Sequence, residues 1–259
     1  MTAVESGRFE SITLDDLVSV AALQTRVDRK YILRADEADA IVSRLDATTR
    51  VLEIDGQRAS TYESVYFDTP SLLSYRMAAT GRRRRFKLRT RSYVDTEEAY
   101  LEMKTRGARG TTVKDRLPYD MGDRDTLTPD GRDYADAALD GIGIEHPEEL
   151  SLVPTLVTRY RRATLLLNQY GLPGTQSRAT IDTDLSWETD DGRTLRLPRS
   201  VIIETKSGQR TSDVDRLLWS HGHRPATISK FGTGLAAMRD DLPSNKWARV
   251  LRRHFSNSH

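Results

Sequence analysis

Cysteine is missing from all 259 residues. Its absence excludes disulfides, thiol nucleophiles and cysteine-ligated metals, and it suits the cytoplasmic location expected for the chain. Long apolar runs are missing too. No stretch reaches the roughly 20 residues a membrane helix needs. The N-terminus from Met1 to Glu10 is polar and has no signal-peptide core. A membrane role would therefore require a membrane-protein partner. A large excess of one charge is the third absence: Lys and Arg total 40 against 38 Asp and Glu, a net charge of +2. General nucleic-acid binders usually carry a marked basic excess, so cations here must be concentrated locally and offset elsewhere. Histidine is sparse, with five scattered residues. His221 and His223 flank Gly222 with no further ligand nearby in sequence, which argues against a histidine metal site.

The cations are gathered in one stretch. Arg82, Arg83, Arg84 and Arg85 lead into Phe86, Lys87, Leu88, Arg89, Thr90, Arg91, Ser92 and Tyr93. After an acidic break come Tyr100, Leu101, Glu102, Met103, Lys104, Thr105 and Arg106. In a strand, residues two apart share a face. Arg85, Lys87, Arg89 and Arg91 then lie opposite Phe86 and Leu88. Tyr100, Glu102, Lys104 and Arg106 likewise lie opposite Leu101 and Met103. Like charges facing each other across a ladder repel, so such a face calls for an anionic ligand. Arg82 to Arg84 read as solvated rim.

The pattern recurs along the chain. Helices are expected over residues 10–24, with Thr13 as N-cap, from Asp36 onward, over 71–79 ended by Gly81, over 132–139, over 212–221 and over 245–254. Strands are expected at 26–33, 48–55, 63–67, 113–117, 155–163, 178–182 and 201–206, with a flexible turn at 107–110 and a hairpin return at Asp191-Gly192. Lys114 and Arg116 share a face, as do Glu204 and Lys206. Arg159 and Arg161 point opposite to Arg162. The expected fold is α+β, a closed antiparallel eight-stranded barrel with flanking helices, because a barrel gives many strands one shared polar lumen. It is expected as a single domain over 1–259, with its core at about 9–239 and a C-terminal helix in 240–259. Base-stacking aromatics are few among the basic strands, and Phe86 alternates to the wrong face, which disfavours nucleic acid as partner.

Eight residue groups carry a family resemblance. They are Arg26-Val27-Asp28-Arg29-Lys30-Tyr31, Tyr66-Phe67-Asp68-Thr69, Lys87-Leu88-Arg89-Thr90-Arg91-Ser92-Tyr93 and Leu101-Glu102-Met103-Lys104. Arg159-Tyr160-Arg161-Arg162, Arg178-Ala179-Thr180-Ile181-Asp182, Glu204-Thr205-Lys206 and Ser229-Lys230-Phe231 follow in order. This order resembles the VTC domain, the polyphosphate polymerase domain of vacuolar transporter chaperone complexes and its stand-alone bacterial relatives. That family sits within the triphosphate tunnel (CYTH-like) superfamily.

The resemblance implies an ATP-dependent polyphosphate polymerase working in a basic tunnel with a divalent metal, Mn²⁺ or Mg²⁺. ATP and inorganic polyphosphate are the implied partners. It implies phosphate contacts from Lys30, Lys87, Arg89, Arg91, Lys104, Lys114, Arg116, Arg159, Arg162, Arg178, Lys206, Ser229 and Lys230. Within these, Lys30, Arg89, Arg91, Lys104, Arg162 and Lys230 are the implied catalytic set. Glu204 matches the metal-binding glutamate, with Glu102 as a second anionic position. The superfamily's Glu-x-Glu-x-Lys signature is reduced to Arg26, Asp28 and Lys30. Asp28 is either a metal ligand or an ion-pair partner of Arg26 or Lys30, and Asp182 is read as a partner of Arg178. A tunnel-type triphosphatase or polyphosphatase, or a non-catalytic polyphosphate-binding module, are the alternatives. The thin acidic complement argues against the first and the retained Glu204 against the second.

Overall fold

The computed structural model describes residues 7–20, 27–107, 112–168, 176–208 and 210–256. In chain order the strands and helices are β1 (Glu10–Ile12), α1 (Leu14–Val20), β2 (Val27–Arg34), α2 (Ala35–Val42), β3 (Arg50–Leu52), β4 (Ser60–Asp68) and α3 (Leu73–Ala79). Then come β5 (Arg85–Tyr93), β6 (Glu98–Arg106), β7 (Thr112–Tyr119), α4 (Pro129–Asp140), β8 (Val153–Asn168) and β9 (Gln176–Thr189). The chain continues with β10 (Thr194–Leu197), β11 (Ser200–Ser207), α5 (Asp213–Ser220), α6 (Lys230–Met238) and α7 (Ala248–His254). Among the described residues no helix is long and apolar enough to cross a membrane.

Two compact units form, each from separate stretches of chain. The first comprises Met1–Ser60, Tyr160–Leu185 and Leu197–Ile228. Its strand order is β2-β11-β9-β8, with β3 antiparallel to β8 and the short β1 parallel to β3. Alternation drives Tyr31 and Leu33 of β2, Ala179 and Ile181 of β9, and Val201 and Ile203 of β11 into one core, closed by Ile41 of α2 and Leu218 of α5. Thr13 does cap α1, accepting from the Asp16 amide at 3.2 Å, and Ser212 caps α5. The expected first helix is shorter at its front, because residues 10–12 pair as a strand with β3; residues 21–24 of that expectation lie outside the described residues.

Within this unit, Arg29 and Tyr31 point to the helix side of β2, where Asp215 of α5 is wholly buried. Tyr31 and Thr205 donate to one carboxylate oxygen of Asp215, at 2.7 and 2.6 Å, while Arg29 and the Ser212 hydroxyl donate to the other. Burial, reinforced by the hydrogen bond to Asp215, holds the Tyr31 phenol far above its ordinary range. This network ties β2 to β11 and α5 beneath the strand face that carries Lys30.

The second unit comprises Thr61–Arg159, Ser186–Arg196 and Ser229–His259, and its strands run β8-β4-β5-β6-β7. Phe86 and Leu88 of β5 and Leu101 and Met103 of β6 form its core with Val65, Phe67, Ala135 and Leu139. Asp68 ends β4 and accepts the amides of Thr69, Ser74 and Tyr75, so one buried carboxylate starts α3. Gly81, at φ 71°, stops that helix as expected. At α6 two glycines permit close packing. A Cβ on Gly232 would enter the indole of Trp247, and one on Gly234 the indole of Trp187.

The architecture is α+β with a large antiparallel sheet, but two expectations change. Among the described residues eleven strands form rather than eight, and β2 and β7 end the strand path with no ladder joining them. The hydrogen bonding is thus open where a closed barrel is expected. A polar face over an apolar one produces the same alternation in either arrangement, so the pattern could not report closure.

Candidate functional site

The residues singled out in the sequence fall into two groups, one in each unit. In the second unit the β5–β6–β7 register lines up Lys87, Lys104 and Lys114 in one row and Arg89, Glu102 and Arg116 in the next. Arg85 opposes Arg106 at one end of the same face, and Arg91 opposes Tyr100 on the other side of the Arg89 row. Alternation is borne out along β5: Phe86, Leu88, Thr90 and Ser92 are buried, and the four cations between them are half-buried.

Glu102 is the hub of this face, with only 4% of its side chain exposed. Its Oε2 accepts from Arg89 Nε at 2.9 Å and Nη2 at 2.6 Å, and its Oε1 accepts from Lys114 Nζ at 2.9 Å. Arg91 Nε stands 3.7 Å away. Burial would raise the Glu102 pKa, but Arg89 and Lys114 outweigh it and hold the carboxyl below its ordinary range. Arg89 also donates from Nη1 to the Tyr66 hydroxyl at 2.9 Å, and Arg116 stacks 4.5 Å from the Tyr100 ring. Lys87 donates to the Ser229 hydroxyl at 3.0 Å, and that oxygen also caps α6 by accepting the Gly232 amide. Lys230 follows at the first position of α6, and its carbonyl is fixed by Trp187 Nε1 at 2.8 Å. Ser229 and Lys230 therefore stand at the positive end of a helix dipole.

The first unit carries a second carboxylate among cations. Glu204 of β11 opposes Lys30 of β2 on one side and Thr180 of β9 on the other. Lys206 opposes Asp28 and Arg178 in the neighbouring row. Lys206 Nζ is 3.2 Å and Lys30 Nζ 3.5 Å from the Glu204 carboxylate. Burial opposes ionisation of Glu204, yet Lys30, Lys206 and Arg162 together hold its pKa far below the usual carboxylate range. Burial lowers the Lys206 pKa, with Glu204 acting against it. Arg162 is gripped by Asp182 through Nε at 2.6 Å and Nη2 at 2.9 Å.

Several expectations are adjusted by this geometry. Asp182, expected as a partner of Arg178, is held by both edges of Arg162. Asp28, expected as a metal ligand or as a partner of Arg26 or Lys30, lies across the ladder from Lys206; Arg26 is outside the described residues, as are 108–110 of the expected turn. Arg159 donates to Glu63 at 2.6 Å and to Glu188 at 2.7 Å, a setting unlike that of Arg162. His146 does have ligand-type neighbours, since its ring and the carboxylates of Glu148 and Glu149 lie within 4.8 Å of one another, all exposed. None of these three belongs to either cationic group.

Two contributors lie within the family motifs but carry no role expected from sequence. Tyr66 lies on β4 and is brought to Arg89 only by pairing. Thr180 shares a face with Arg178 and Asp182, a signal available in the alternation. Its hydroxyl is buried without a hydrogen-bond partner, directly across the ladder from Glu204.

In chemical terms each group is a strand face on which a carboxylate orders lysines and arginines, an arrangement suited to anions with several oxygens. The chain belongs to the VTC domain family, whose model matches residues 25–239. A comparison with curated proteins finds no match. Among solved structures the chain is similar to HpAC1 of Hippeastrum, described as an adenylyl cyclase candidate with a dominant triphosphatase activity. That match has 15% identity and a TM-score of 0.44, covering 82% of this chain and 96% of the other. A conserved hypothetical protein of Pyrococcus furiosus matches at 11% identity and a TM-score of 0.35, covering 76% and 88%. The PH1012 protein of Pyrococcus horikoshii matches at 12% and 0.34, with the same coverage.

Proposed function

We propose that the protein is an ATP-dependent polyphosphate polymerase. The observation that carries the reading is the row Lys87–Lys104–Lys114, three ammonium-bearing residues in direct register across β5, β6 and β7. Like charges in register repel, and a chain of phosphates, negative at every unit, matches such a row. Membership of the VTC domain family supports the same substrate class.

The reaction needs little covalent help from the protein. An ionised oxygen of the acceptor's terminal phosphate attacks the γ-phosphorus of ATP. The bond from that phosphorus to the β–γ bridging oxygen breaks, and ADP leaves while the acceptor gains one phosphate. No proton has to move. Catalysis then rests on alignment and on neutralising the non-bridging oxygens. Lys87, Arg89, Arg91, Lys104, Lys114 and Arg116, with Ser229 and Lys230, act as phosphate contacts in the second unit. Lys30, Arg162, Arg178 and Lys206 do so in the first. Arg159, with its edges engaged by Glu63 and Glu188, is left out of this set.

A divalent metal fits only in part. Glu204 offers one ionised carboxylate, with the unpartnered Thr180 hydroxyl across the ladder, so most ligands would have to be phosphate oxygens, as Mg²⁺ and Mn²⁺ accept. When bound, the metal supplies further neutralisation of the transferring phosphoryl group. Glu102, more deeply buried and shared by three cations, is the poorer ligand and serves to orient Arg89 and Lys114. Both carboxylates are engaged by cations that lower their basicity, which favours transfer over hydrolysis.

Incubation of purified protein with ATP and Mn²⁺ or Mg²⁺ is expected to yield long polyphosphate on gels with matching ADP. Arg89→Ala or Glu204→Gln should lower the rate about 100-fold or more. Orthophosphate as the sole product, with either metal, would overturn the polymerase reading.

A further inference from the structure

The arginine run that leads into β5 is not absorbed by the site just described. Arg82, Arg83 and Arg84 are exposed, and Arg85 is the first residue of the cationic face. Their surroundings are set by the end of α3. Arg82 donates its amide to Met77 O, Arg85 Nη1 donates to Arg82 O at 2.8 Å, and Lys246 Nζ donates to Ala78 O. Lys246 thus enters from the turn before α7 and caps the negative end of α3. Across the ladder Arg85 faces Arg106.

Charge balance is the unusual feature. Among the described residues none of Arg82, Arg83, Arg84, Arg85 or Lys246 forms an ion pair with a carboxylate. Arg84 reaches only the Gly143 carbonyl, at 3.2 Å. Elsewhere on the same face Arg89 is neutralised by Glu102. Burial and the charge of Arg106 lower the Arg85 pKa, and burial and the charge of Arg85 lower that of Lys246. Arg85 and Lys246 therefore each feel a like-charged neighbour. Helix capping accounts for Lys246 alone and leaves the arginines unexplained.

Position links this cluster to the phosphate row. Arg85 shares its face with Lys87 and lies two residues away, about 7 Å along an extended strand. A linear polyanion held by Lys87, Lys104 and Lys114 meets these cations if it is long enough, and a short one does not. We propose that Arg82, Arg83, Arg85, Arg106 and Lys246 form an outer anion site that holds the distal phosphates of long polyphosphate chains. It gives the protein a preference for long chains over short ones. The inference rests on the polyphosphate reading and adds chain-length selection to it.

Binding of tripolyphosphate, of long-chain polyphosphate and of a single-stranded RNA is to be measured by titration calorimetry across a salt series. Wild type is compared with Arg82→Gln/Arg83→Gln and with Lys246→Gln, each checked for an unchanged unfolding midpoint. The double variant removes two exposed charges that make no ion pair, and glutamine at 246 can still donate to Ala78 O. The expected result is an affinity for long chains lowered on the order of tenfold at low salt, a shallower salt slope by about 0.7 per charge removed, and unchanged tripolyphosphate binding. Equal losses for both phosphate lengths, or no loss for either, overturn the outer site while leaving the polyphosphate reading intact. A loss confined to RNA overturns it in favour of a nucleic-acid surface. A wild type that binds neither phosphate polymer defeats the functional reading itself, and the outer site with it.

Discussion

Glu102 accepts from Arg89 and Lys114 at 2.6 to 2.9 Å while almost fully buried. Its removal would leave three cations facing one another. Glu102→Gln is expected to destabilise the protein by about 2–3 kcal/mol at pH 7, below the value for a wholly buried pair because Lys114 is half exposed. The pH dependence has a definite sign. The folded pKa of Glu102 is depressed, so its contribution is fully present above the unfolded value of about 4.3 and is lost as pH falls through the folded pKa. Glu204 behaves likewise. Urea melts between pH 7 and 3 should therefore show the gap between wild type and Glu102→Gln narrowing below about pH 4.5. A gap that stays constant with pH would show that the glutamate acts through packing and not through charge.

At the scale of elements, the phosphate contacts depend on how α6 is seated. Ser229 caps the helix and meets Lys87, while Trp187 fixes the Lys230 carbonyl. The seating relies on Gly234, where any side chain would overlap the Trp187 indole. Gly234→Ala is expected to cost about 1–3 kcal/mol through overpacking, read as a lower urea midpoint at unchanged m-value. Because Ser229 and Lys230 would shift with the helix, polymerase activity should fall at temperatures where the variant is still folded. Full activity with wild-type stability would mean that the indole moves aside freely. Strand β7 is the opposite case: mostly exposed and paired on one edge, it contributes Lys114 and Arg116 with little packing of its own.

For the molecule as a whole, rows of cations in register tie stability to ligand. Tripolyphosphate or long polyphosphate should raise the thermal midpoint, by an amount equivalent to about 2.7 kcal/mol at a concentration of 100 Kd. Added salt should erode the effect, because counterions screen the same charges. Scanning calorimetry with and without tripolyphosphate checks this, and a midpoint unmoved by saturating polyphosphate would count against both cationic faces as its binding site.

Much of this was legible in sequence, and the reason is period. Strand alternation is local, so the facing of Arg85, Lys87, Arg89 and Arg91 against Phe86 and Leu88 could be read without a structure. So could Thr13 as a cap, Gly81 as a helix stop, and the pairing of Glu204 with Lys206 on one face. Partner choice is not local. That Arg162 takes Asp182 by both edges, that Arg159 turns to Glu63 and Glu188, and that Tyr66 reaches Arg89 depend on which strands lie side by side. The open ladder between β2 and β7 belongs with these, since a two-residue period is the same in a sheet and in a barrel. Residue types and alternation determined a cationic face organised for an anion. Tertiary pairing alone decided which carboxylate orders which cations, because ion pairs form between residues far apart in the chain, at separations no spacing rule encodes.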